Sequence, residues 1–370
     1  RGITKRFPGV IANDDVNLTI KTGEVLALVG ENGAGKSTLM NIMYGLYHAD
    51  EGQIFIDGKP VSFDTSGDAI AAGIGMVHQH FMLVPVFTVA ENVVLGIEPT
   101  TGLFGKLDTA EANAQVREIS GQYGLHLDPE ALIESLPVGI QQRVEILKVL
   151  FRDAEIVVFD EPTAVLTPQE IEEFFNIVES LKASGRGIVF ITHKLTEALK
   201  VADRISVLRR GKTVGEADPA EIDEIGLAEL MVGRPVQLVV DKAPSQPGEP
   251  ILSVDQIHAV DSSGRTLVDH VSFDVHAGEI VGVAGVQGNG QTELVEALTG
   301  LRDVIAGSIH LGGEDITHAT PRDVHRAGVA HIPEDRQRAG LVGDFSVAEN
   351  MVLTRYHDDG FSTGIKMDWP

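Results

Sequence analysis

The nine residues GENGAGKST, at positions 30–38, decide the fold of this chain. They follow a wholly apolar run, VLALV at 25–29, and they precede a stretch at 39–46 whose apolar residues recur at helical spacing. Glycines let backbone N–H groups curl around an anion without Cβ clashes, and a helix N-terminus adds partial positive charge. The sequence therefore predicts a buried strand, a phosphate-binding loop and a helix.

This loop predicts a nucleotide site. Lys36 would reach the β- and γ-phosphates of a bound triphosphate, and the Ser37 hydroxyl would ligate Mg²⁺. The other loop residues that we expect to hold the nucleotide are Gly30, Asn32, Gly33, Ala34, Gly35 and Thr38. The alternative, a tight glycine turn that binds nothing, is disfavoured by the strand before the loop and the helix after it.

A second apolar run, at 156–159, ends in two carboxylates, Asp160 and Glu161. The end of a buried strand beside a phosphate-binding loop is the expected place for an aspartate that holds Mg²⁺. Asp160 would do so through water, and Glu161 would orient or deprotonate the attacking water. The alternative is that both acids cap the helix expected near Pro168.

An altered copy of the loop occurs later in the chain. Residues 285–293 read GVQGNGQTE, so Gln291 stands where the first copy has Lys36, and the copies lie 285 − 30 = 255 positions apart. Gly278-Glu279 repeats Gly23-Glu24 at the start of an apolar run that we expect to form a strand. FTVAEN at 87–92 recurs as FSVAEN at 345–350. A period this long indicates two whole domains.

The duplication sets the predicted domain boundaries. We expect the first domain over residues 1–240 and a second, incomplete domain over 251–370. Residues 241–250 are rich in Pro, Gly and Ser, which is typical of a linker. Apolar runs interleaved with helical patterns predict an α/β fold with a mostly parallel sheet. Asp57-Gly58 predicts a hairpin turn, and the polar periodic stretch at 108–122 predicts a helix.

The composition restricts the class of protein. The 370 residues include 29 Lys and Arg against 54 Asp and Glu, a formal net charge of −25, which argues against binding to nucleic-acid phosphate backbones. There is no cysteine, so disulfides and thiolate chemistry are excluded. No apolar run approaches the ~18 residues that a membrane-spanning helix needs, and we expect no signal peptide.

Five motifs follow one another along the chain: GENGAGKST (30–38), MVHQH (76–80), LPVGIQQR (136–143), VVFDEPTAVLT (157–167) and FITH (190–193). In this order they resemble the motifs of ATP-binding-cassette (ABC) transporter ATPases. FPGV at 7–10, QQRVEILK at 141–148 and IPEDR at 332–336 are similar to segments of the fused double-cassette ATPases of bacterial simple-sugar and nucleoside importers. The resemblance implies a P-loop NTPase (ABC ATPase) fold with an antiparallel β subdomain and a helical subdomain, present twice.

The resemblance implies roles for three more residues. Gln79 is similar to the glutamine that contacts Mg²⁺ and water and senses the membrane subunit. His193 is similar to the histidine that donates a hydrogen bond to the γ-phosphate, so the implied catalytic set is Glu161, His193 and Gln79. Phe7 lies where an aromatic ring would stack on adenine. The alternatives are an exposed loop glutamine, a strand-end histidine with a structural bond, and ordinary packing of the phenylalanine.

The resemblance also implies where the altered loop at 285–293 would act. In the family, the P-loop of one cassette faces the signature Leu-Ser-Gly-Gly-Gln of the other; here that segment reads LPVGI at 136–140, with Pro137 in place of the serine. Both alterations would fall in one degenerate composite site, which could still bind nucleotide through Gly288, Gly290 and Thr292. The signature that faces the intact loop would follow Pro370, so we expect weak or no ATPase activity from this chain alone.

The resemblance implies an ATP-binding and ATP-hydrolysing subunit of a bacterial ABC importer, with ATP and Mg²⁺ as cofactors. It would energise uptake of a nucleoside or a simple sugar through a separate membrane permease, and it would act with an extracytoplasmic solute-binding protein only indirectly. It would lie peripherally on the cytoplasmic face of the cell membrane, supply both cassettes itself and bind no nucleic acid. The cargo rests on resemblance alone, with a slight preference for nucleosides.

Two other functions are alternatives. A double-cassette translation factor that acts on the ribosome would also lack membrane spans, but the altered second loop, the short linker and the acidic charge argue against it. A regulatory module that binds nucleotide without hydrolysing it is disfavoured by the presence of Glu161 and His193. Co-purification with a permease rather than with ribosomes would separate the first alternative from the importer.

Overall fold

The computed structural model describes residues 1–78, 81–101, 106–164, 166–236, 242–285, 288–335, 339–356, 360–363 and 366–367. The chain forms two compact units, Arg1–Val240 and Asp241–Pro370. None of the helices in the described residues is both long enough and apolar enough to cross a membrane.

Helices and strands alternate along the first unit. The helices are α1 (Lys36–Met43), α2 (Ser66–Ala71), α3 (Val89–Val94), α4 (Thr109–Gln122), α5 (Val138–Phe151), α6 (Pro168–Ala183), α7 (Leu195–Val201) and α8 (Glu224–Val232), with a 3-10 turn at Ile133–Ser135. The strands are β1 (Ile3–Phe7), β2 (Val10–Val16), β3 (Val25–Val29), β4 (Ile54–Ile56), β5 (Lys59–Val61), β6 (Ile74–Val77), β7 (Thr100–Thr101), β8 (Lys106–Leu107), β9 (Ile156–Asp160), β10 (Gly187–Thr192), β11 (Arg204–Arg209) and β12 (Lys212–Ala217).

A six-stranded sheet forms the centre of the first unit, in the order β12-β11-β3-β10-β9-β6. Five of these strands run parallel, and β12 pairs antiparallel with β11 at one edge. Val29 of β3 pairs with Thr192 of β10, and Ile191 of β10 pairs with Asp160 of β9. The carboxyl ends of β3, β10 and β9 therefore lie side by side along the C-terminal end of the sheet. Parallel α/β sheets bind ligands at this end. The predicted mostly parallel sheet is confirmed.

Both faces of the sheet are buried at its centre, which explains why β3, β10 and β9 are mostly apolar instead of alternating with polar residues. Every residue of β3 and of β10 is buried. On one face the Phe159 ring packs edge-on against Phe174 of α6, with the ring centroids 5.1 Å apart. Leu28 belongs to a separate apolar cluster that includes Met40 of α1. Helix α1 is thereby held against β3, and the loop that joins them is fixed at both ends.

Two smaller parts accompany the sheet. β1 pairs antiparallel with β2, and β4 pairs with β5 across the predicted turn at Asp57-Gly58, where both residues have positive φ (50° and 76°). Helices α3, α4 and α5 share an apolar core. Helix α4 occupies the stretch predicted to be helical, and Asp108 caps it by accepting a hydrogen bond from the backbone N–H of Glu111. The antiparallel and helical subdomains are therefore present in this unit.

Helix α1 is shorter than its apolar spacing predicted. The pattern ran to position 46, but the helix ends at Met43. Gly45 has φ of +74°, and a Cβ there would lie only 2.5 Å from the carbonyl oxygen of Thr65. The chain turns at this glycine, and Leu46 is consequently 50% exposed instead of joining the helix face.

The second unit contains a four-stranded antiparallel sheet in the order β14-β13-β15-β16. Its strands are β13 (Pro250–Val260), β14 (Thr266–His276), β15 (Ala306–Leu311) and β16 (Glu314–Asp315), with a short pair β17 (Ser362–Thr363) and β18 (Lys366–Met367). Its helices are α9 (Gln291–Leu298), α10 (Pro321–Arg326) and α11 (Val347–Val352). The core of this unit joins Ile257 of β13 to Leu294 of α9 and Val324 of α10.

The apolar run at 279–285, predicted to form a strand like β3, does not form one. Ile280 is 93% exposed and Val283 is 57% exposed. In the first unit, β3 is paired on one side with β10 and on the other with β11. Among the described residues of the second unit, no strand pairs with 279–285. The prediction is wrong because an apolar run becomes a strand only where neighbouring strands take up its backbone hydrogen bonds.

Candidate nucleotide-binding site

The loop between β3 and α1 depends on glycine at specific positions. Gly35, the N-cap of α1, has φ of +103°, and a Cβ there would lie 2.2 Å from the carbonyl oxygen of Ala12 in β2. A Cβ at Gly30 would lie 2.3 Å from the carbonyl oxygen of Leu208 in β11. Gly33 also has positive φ, 80°, but open space surrounds it. Glycine therefore lets the loop pass close to two strands before it turns into α1.

Lys36 is the first residue of α1, and its side chain turns back over the loop. The residue is only 5% exposed. Its Nζ donates hydrogen bonds to the carbonyl oxygens of Gly30, at 2.7 Å, and Glu31, at 3.1 Å. Burial lowers the pKa of Lys36, while the nearby carboxylates of Glu161 and Asp160 act to raise it. A cation held within the loop backbone is well placed to bind an anionic group there.

Two carboxylates lie at the end of β9. Asp160 is the last residue of the strand and is 8% exposed; burial raises its pKa, Glu161 raises it further, and Lys36 opposes the rise. Glu161 leaves the strand with φ of +49°, and its backbone N–H donates to the carbonyl oxygen of Ile191 at 3.0 Å. The alternative that these acids cap the next helix is wrong, because the N-cap of α6 is Thr167.

His193 follows β10 and contacts Glu161. Its Nδ1 lies 2.9 Å from Oε1 of Glu161. When Glu161 is ionised its carboxylate can only accept a hydrogen bond, and the contact is then made by the imidazole tautomer with its proton on Nδ1. Nε2 of the neutral ring is then an acceptor, and it can donate to a phosphate only if the ring is protonated or the contact with Glu161 breaks. The fold thus brings together two residues that the sequence placed in separate motifs.

One cavity of about 500 Å³ gathers most of the predicted nucleotide-binding residues of the first unit. Its lining consists of Phe7, Val10, Ala12, Asn32, Gly33, Ala34, Gly35, Lys36, Ser37, Thr38 and Glu161. The Phe7 ring stands edge-on to Tyr47, with centroids 5.6 Å apart, and Nζ of Lys5 lies 5.6 Å from its centre. The volume lies within the range of small-ligand sites in proteins.

The donors at this edge of the sheet suit Mg²⁺. Ser37 is exposed at the start of α1 and offers a hydroxyl oxygen. Asp160 is a buried carboxylate with the carboxylate of Glu161 nearby. Glu161 raises the pKa of Asp160, and the positive charge of Lys36 lowers it. Hydroxyl and carboxylate oxygens are ligands that Mg²⁺ prefers, and a divalent cation would relieve the excess negative charge.

The structure adds residues that the sequence did not single out. Asn13 of β2 is fully buried, and its Nδ2 donates to the carbonyl oxygen of Gly35 at 3.1 Å, so it holds the last turn of the loop. Val10 and Ala12 line the cavity, and Tyr47 supports Phe7. Of these residues only Val10 belongs to a segment quoted above, FPGV at 7–10, and the sequence indicated no role for any of them, because their places at the site arise only when the fold brings distant segments together.

Some predicted site residues are placed elsewhere or cannot be placed. Gln79 lies outside the described residues. In the second unit, Gln291 begins α9 after Gly290 (φ 93°), as Lys36 begins α1 after Gly35, and Thr292 follows it. Gly288 has φ of 87°, and the Gln291 amide lies over Gly285, where a Cβ would be 2.4 Å from its Nε2.

The altered signature segment lies at the start of α5. Pro137 is the N-cap of this helix and makes no side-chain hydrogen bond. Gly139 is buried in the first turn, where a Cβ would lie 2.2 Å from Oε1 of Glu170. A Cβ at Gly139 would therefore displace the Glu170 side chain, and the segment offers no hydroxyl where the serine of the family signature would stand.

Known proteins are similar over most of this chain. The ABC transporter family matches residues 13–164 and 268–368. The chain is 52% identical over 355 residues to the nucleoside import ATP-binding protein NupA of Lactococcus lactis subsp. cremoris, a match that covers 96% of this chain and 70% of that protein. It is 46% identical over 393 residues to the glucose import ATP-binding protein TsgD13 of Haloferax volcanii, covering 99% and 72%.

Solved structures are similar as well. The ADP conformation of an ATP-binding cassette from an ABC transporter superposes with a TM-score of 0.55 at 26% identity, covering 63% of this chain and 97% of that one. These similarities agree with the fold described above. Nothing in them favours a ribosome-bound translation factor.

Proposed function

The chain belongs to the ABC transporter ATPase family, and we propose that it is the ATP-binding and ATP-hydrolysing subunit of an importer for nucleosides or simple sugars. The observation that carries the proposal is the cavity in which Lys36, Ser37, Glu161 and Phe7 meet. A phosphate-binding lysine, a carboxylate for water and an aromatic ring for a base are the parts that ATP hydrolysis requires.

Lys36 and the loop would hold the triphosphate. The amine is already fixed over the loop by two carbonyl oxygens, so little side-chain freedom is left to lose on binding. Backbone N–H groups of the loop and the N-terminus of α1 add donors and partial positive charge. Phe7 lines the same cavity, with Tyr47 edge-on to its ring, and its face would stack on adenine.

Ser37 and Asp160 are the residues that would hold Mg²⁺, with Gln79 as a further ligand by resemblance. The ion would neutralise charge that develops on the phosphates. In the chain itself, Glu161 would orient and deprotonate the attacking water. His193, bonded to Oε1 of Glu161, would fix the direction of that carboxylate.

The partner would be a membrane permease, with an extracytoplasmic solute-binding protein acting only through it. A groove of about 280 Å³ supports this, since His78 and Met82, which lie close to Gln79 in sequence, are among the residues that line it. Met82 is 63% exposed, and Lys148, Arg152 and Glu145 are among the charged residues that line the groove. We place the protein on the cytoplasmic face of the membrane, where such a permease would meet ATP.

The second unit would bind nucleotide weakly or not at all through Gly288, Gly290 and Thr292. Its loop keeps the left-handed glycines but has a neutral amide in place of the amine. An ionised donor bonds a phosphate roughly twice as strongly as a neutral one.

Two variants test the proposal. Lys36→Ala should weaken ATP binding at least about tenfold, because it removes a charge-assisted bond worth ~1.5–3 kcal/mol. Glu161→Gln should keep ATP binding but lower hydrolysis by about a hundredfold or more, the usual weight of a general base. Binding is measured with a fluorescent ATP analogue, and hydrolysis in the transporter assembled with its permease.

Lys59→Ala, at an exposed lysine of β5, is the matched control and should change neither quantity. The proposal is contradicted if Lys36→Ala binds ATP as the unaltered chain does. Uptake of labelled guanosine and of labelled glucose by cells that carry each variant then decides between nucleoside and sugar as the cargo.

A further inference from the structure

A cluster of two imidazoles and a carboxylate lies in the β13–β14 hairpin of the second unit. In sequence this hairpin precedes the altered phosphate-binding loop at 285–293. The residues are His258, Asp269 and His270, and one potential metal-ligand atom from each lies within 4.8 Å of the other two. None of them belongs to the motifs that indicate ATP binding. We propose that these three side chains bind a divalent transition-metal ion, with Zn²⁺ as the principal case.

A β-bulge brings the three residues together. Ile257 pairs with Val271 and Ala259 pairs with Val268, so one residue on β13, His258, faces two residues on β14, Asp269 and His270. Successive side chains of a regular strand point to opposite faces, but a bulge re-aims them. His270 has φ of +50°, which marks the distortion. Consecutive side chains can thereby reach one point.

The distances suit a metal. Oδ1 of Asp269 lies 3.5 Å from Nδ1 of His258 and 2.7 Å from Nδ1 of His270, and the two rings have centroids 5.0 Å apart. Metal–ligand bonds of ~2.0–2.1 Å in a tetrahedral site place donor atoms about 3.4 Å apart. The contact with His258 already has that length. The contact with His270 would lengthen as the metal replaces the proton between the two atoms.

The burial of one His258 nitrogen gives a second reason. Its Nδ1 is covered from solvent and makes no well-formed hydrogen bond within the described residues, since Oδ1 of Asp269 is 3.5 Å away. A buried polar atom without a partner costs stability, and such an atom calls for an explanation. Asp269 and His270 are 75% and 57% exposed at their side chains, so an ion can enter and keep water as a further ligand. Two nitrogens and one oxygen suit Zn²⁺, Ni²⁺ or Cu²⁺ better than Mg²⁺.

The first unit contains the same bulge without the imidazoles. Ile3 pairs with Val16 and Lys5 with Asn13, so Thr4 faces Asp14 and Asp15. There the Thr4 hydroxyl oxygen accepts a hydrogen bond from the backbone N–H of Asp15 at 3.0 Å. The bulge in the first unit is therefore closed by a backbone-to-hydroxyl hydrogen bond, and the two histidines are a feature of the second unit rather than of the bulge itself.

Isothermal titration of the tag-free, nucleotide-free chain with Zn²⁺ tests the proposal. We expect one ion per chain, a rise in the melting temperature, and visible absorption of tetrahedral type when Co²⁺ is used instead. His258→Thr, which copies the first unit, and His270→Asn should each weaken binding at least about tenfold, as loss of even a supporting residue of a metal site does.

His318→Gln, at an exposed histidine of the same unit, should bind Zn²⁺ unchanged. Circular dichroism of each variant establishes that it is folded. The proposal is overturned by the absence of saturable one-to-one binding, by binding that survives both cluster substitutions, or by binding that is lost with His318→Gln.

Discussion

Asp160 is buried beside a second carboxylate, Glu161, and Lys36 offsets only part of this charge. Because the pKa of Asp160 is raised, the folded protein holds this proton more tightly than the unfolded chain does. Stability is therefore lost as the pH rises through the raised pKa, and above that pKa the ionised carboxylate destabilises the fold. A charge placed where it costs stability is typical of a functional site.

Asp160→Asn should accordingly raise the melting temperature of the ligand-free protein at pH 7, since a neutral amide replaces the buried charge. The gain should be smaller at acidic pH, where the carboxyl group is protonated. The same variant should lose the dependence of ATP binding on Mg²⁺. Thermal unfolding at both pH values measures the first effect, with the exposed Asp64→Asn as the control that should change little. A lower melting temperature for Asp160→Asn at pH 7 would contradict the argument.

Some secondary-structure elements could be predicted because the residues that determine them lie within the element or next to it in sequence. Helix α4 begins at the acidic cap Asp108, and β9 is an unbroken apolar run that ends at the two acids. Asn13 could not be predicted, because its partner Gly35 is 22 residues away and the contact exists only once β2 lies against the loop. The strand predicted at 279–285 was wrong for the same reason. The hydrophobicity of this run can be read from the local sequence, but a strand also needs neighbouring strands, which come from distant parts of the chain.

Substitution of two glycines in the β3–α1 loop distinguishes the cost of backbone strain from the cost of a steric clash. Both need positive φ, but a Cβ at Gly33 meets open space, while at Gly35 it would lie 2.2 Å from backbone. Gly33→Ala should therefore cost about 1 kcal/mol of unfolding free energy, the strain of a left-handed residue. Gly35→Ala should cost about 3 kcal/mol, since overpacking adds to that strain. Urea unfolding measures the loss of unfolding free energy in each variant. Equal losses would contradict the argument, because they would show that the backbone at Ala12 moves away from the new Cβ at no cost in stability.

The whole molecule carries two copies of one loop-and-helix design. α1 and α9 both begin directly after a glycine in the left-handed region, with φ of 103° and 93°. The side chain at the first helical position lies over the first loop residue in each, Lys36 over Gly30 and Gln291 over Gly285. The copies thus share a backbone design and differ in the charge that this side chain offers to an anion.

Exchange of these two residues tests whether that charge decides which copy binds ATP. Lys36→Gln should abolish tight ATP binding, because the first loop then offers only a neutral donor. Gln291→Lys should create or strengthen a second site, so equilibrium dialysis should count two ATP per chain instead of one. The double exchange should restore a single site, now in the second unit. If Gln291→Lys leaves the count at one while Lys36→Gln abolishes binding, the second loop lacks more than a charge, and the exposed run at 279–285 before it becomes the next cause to test.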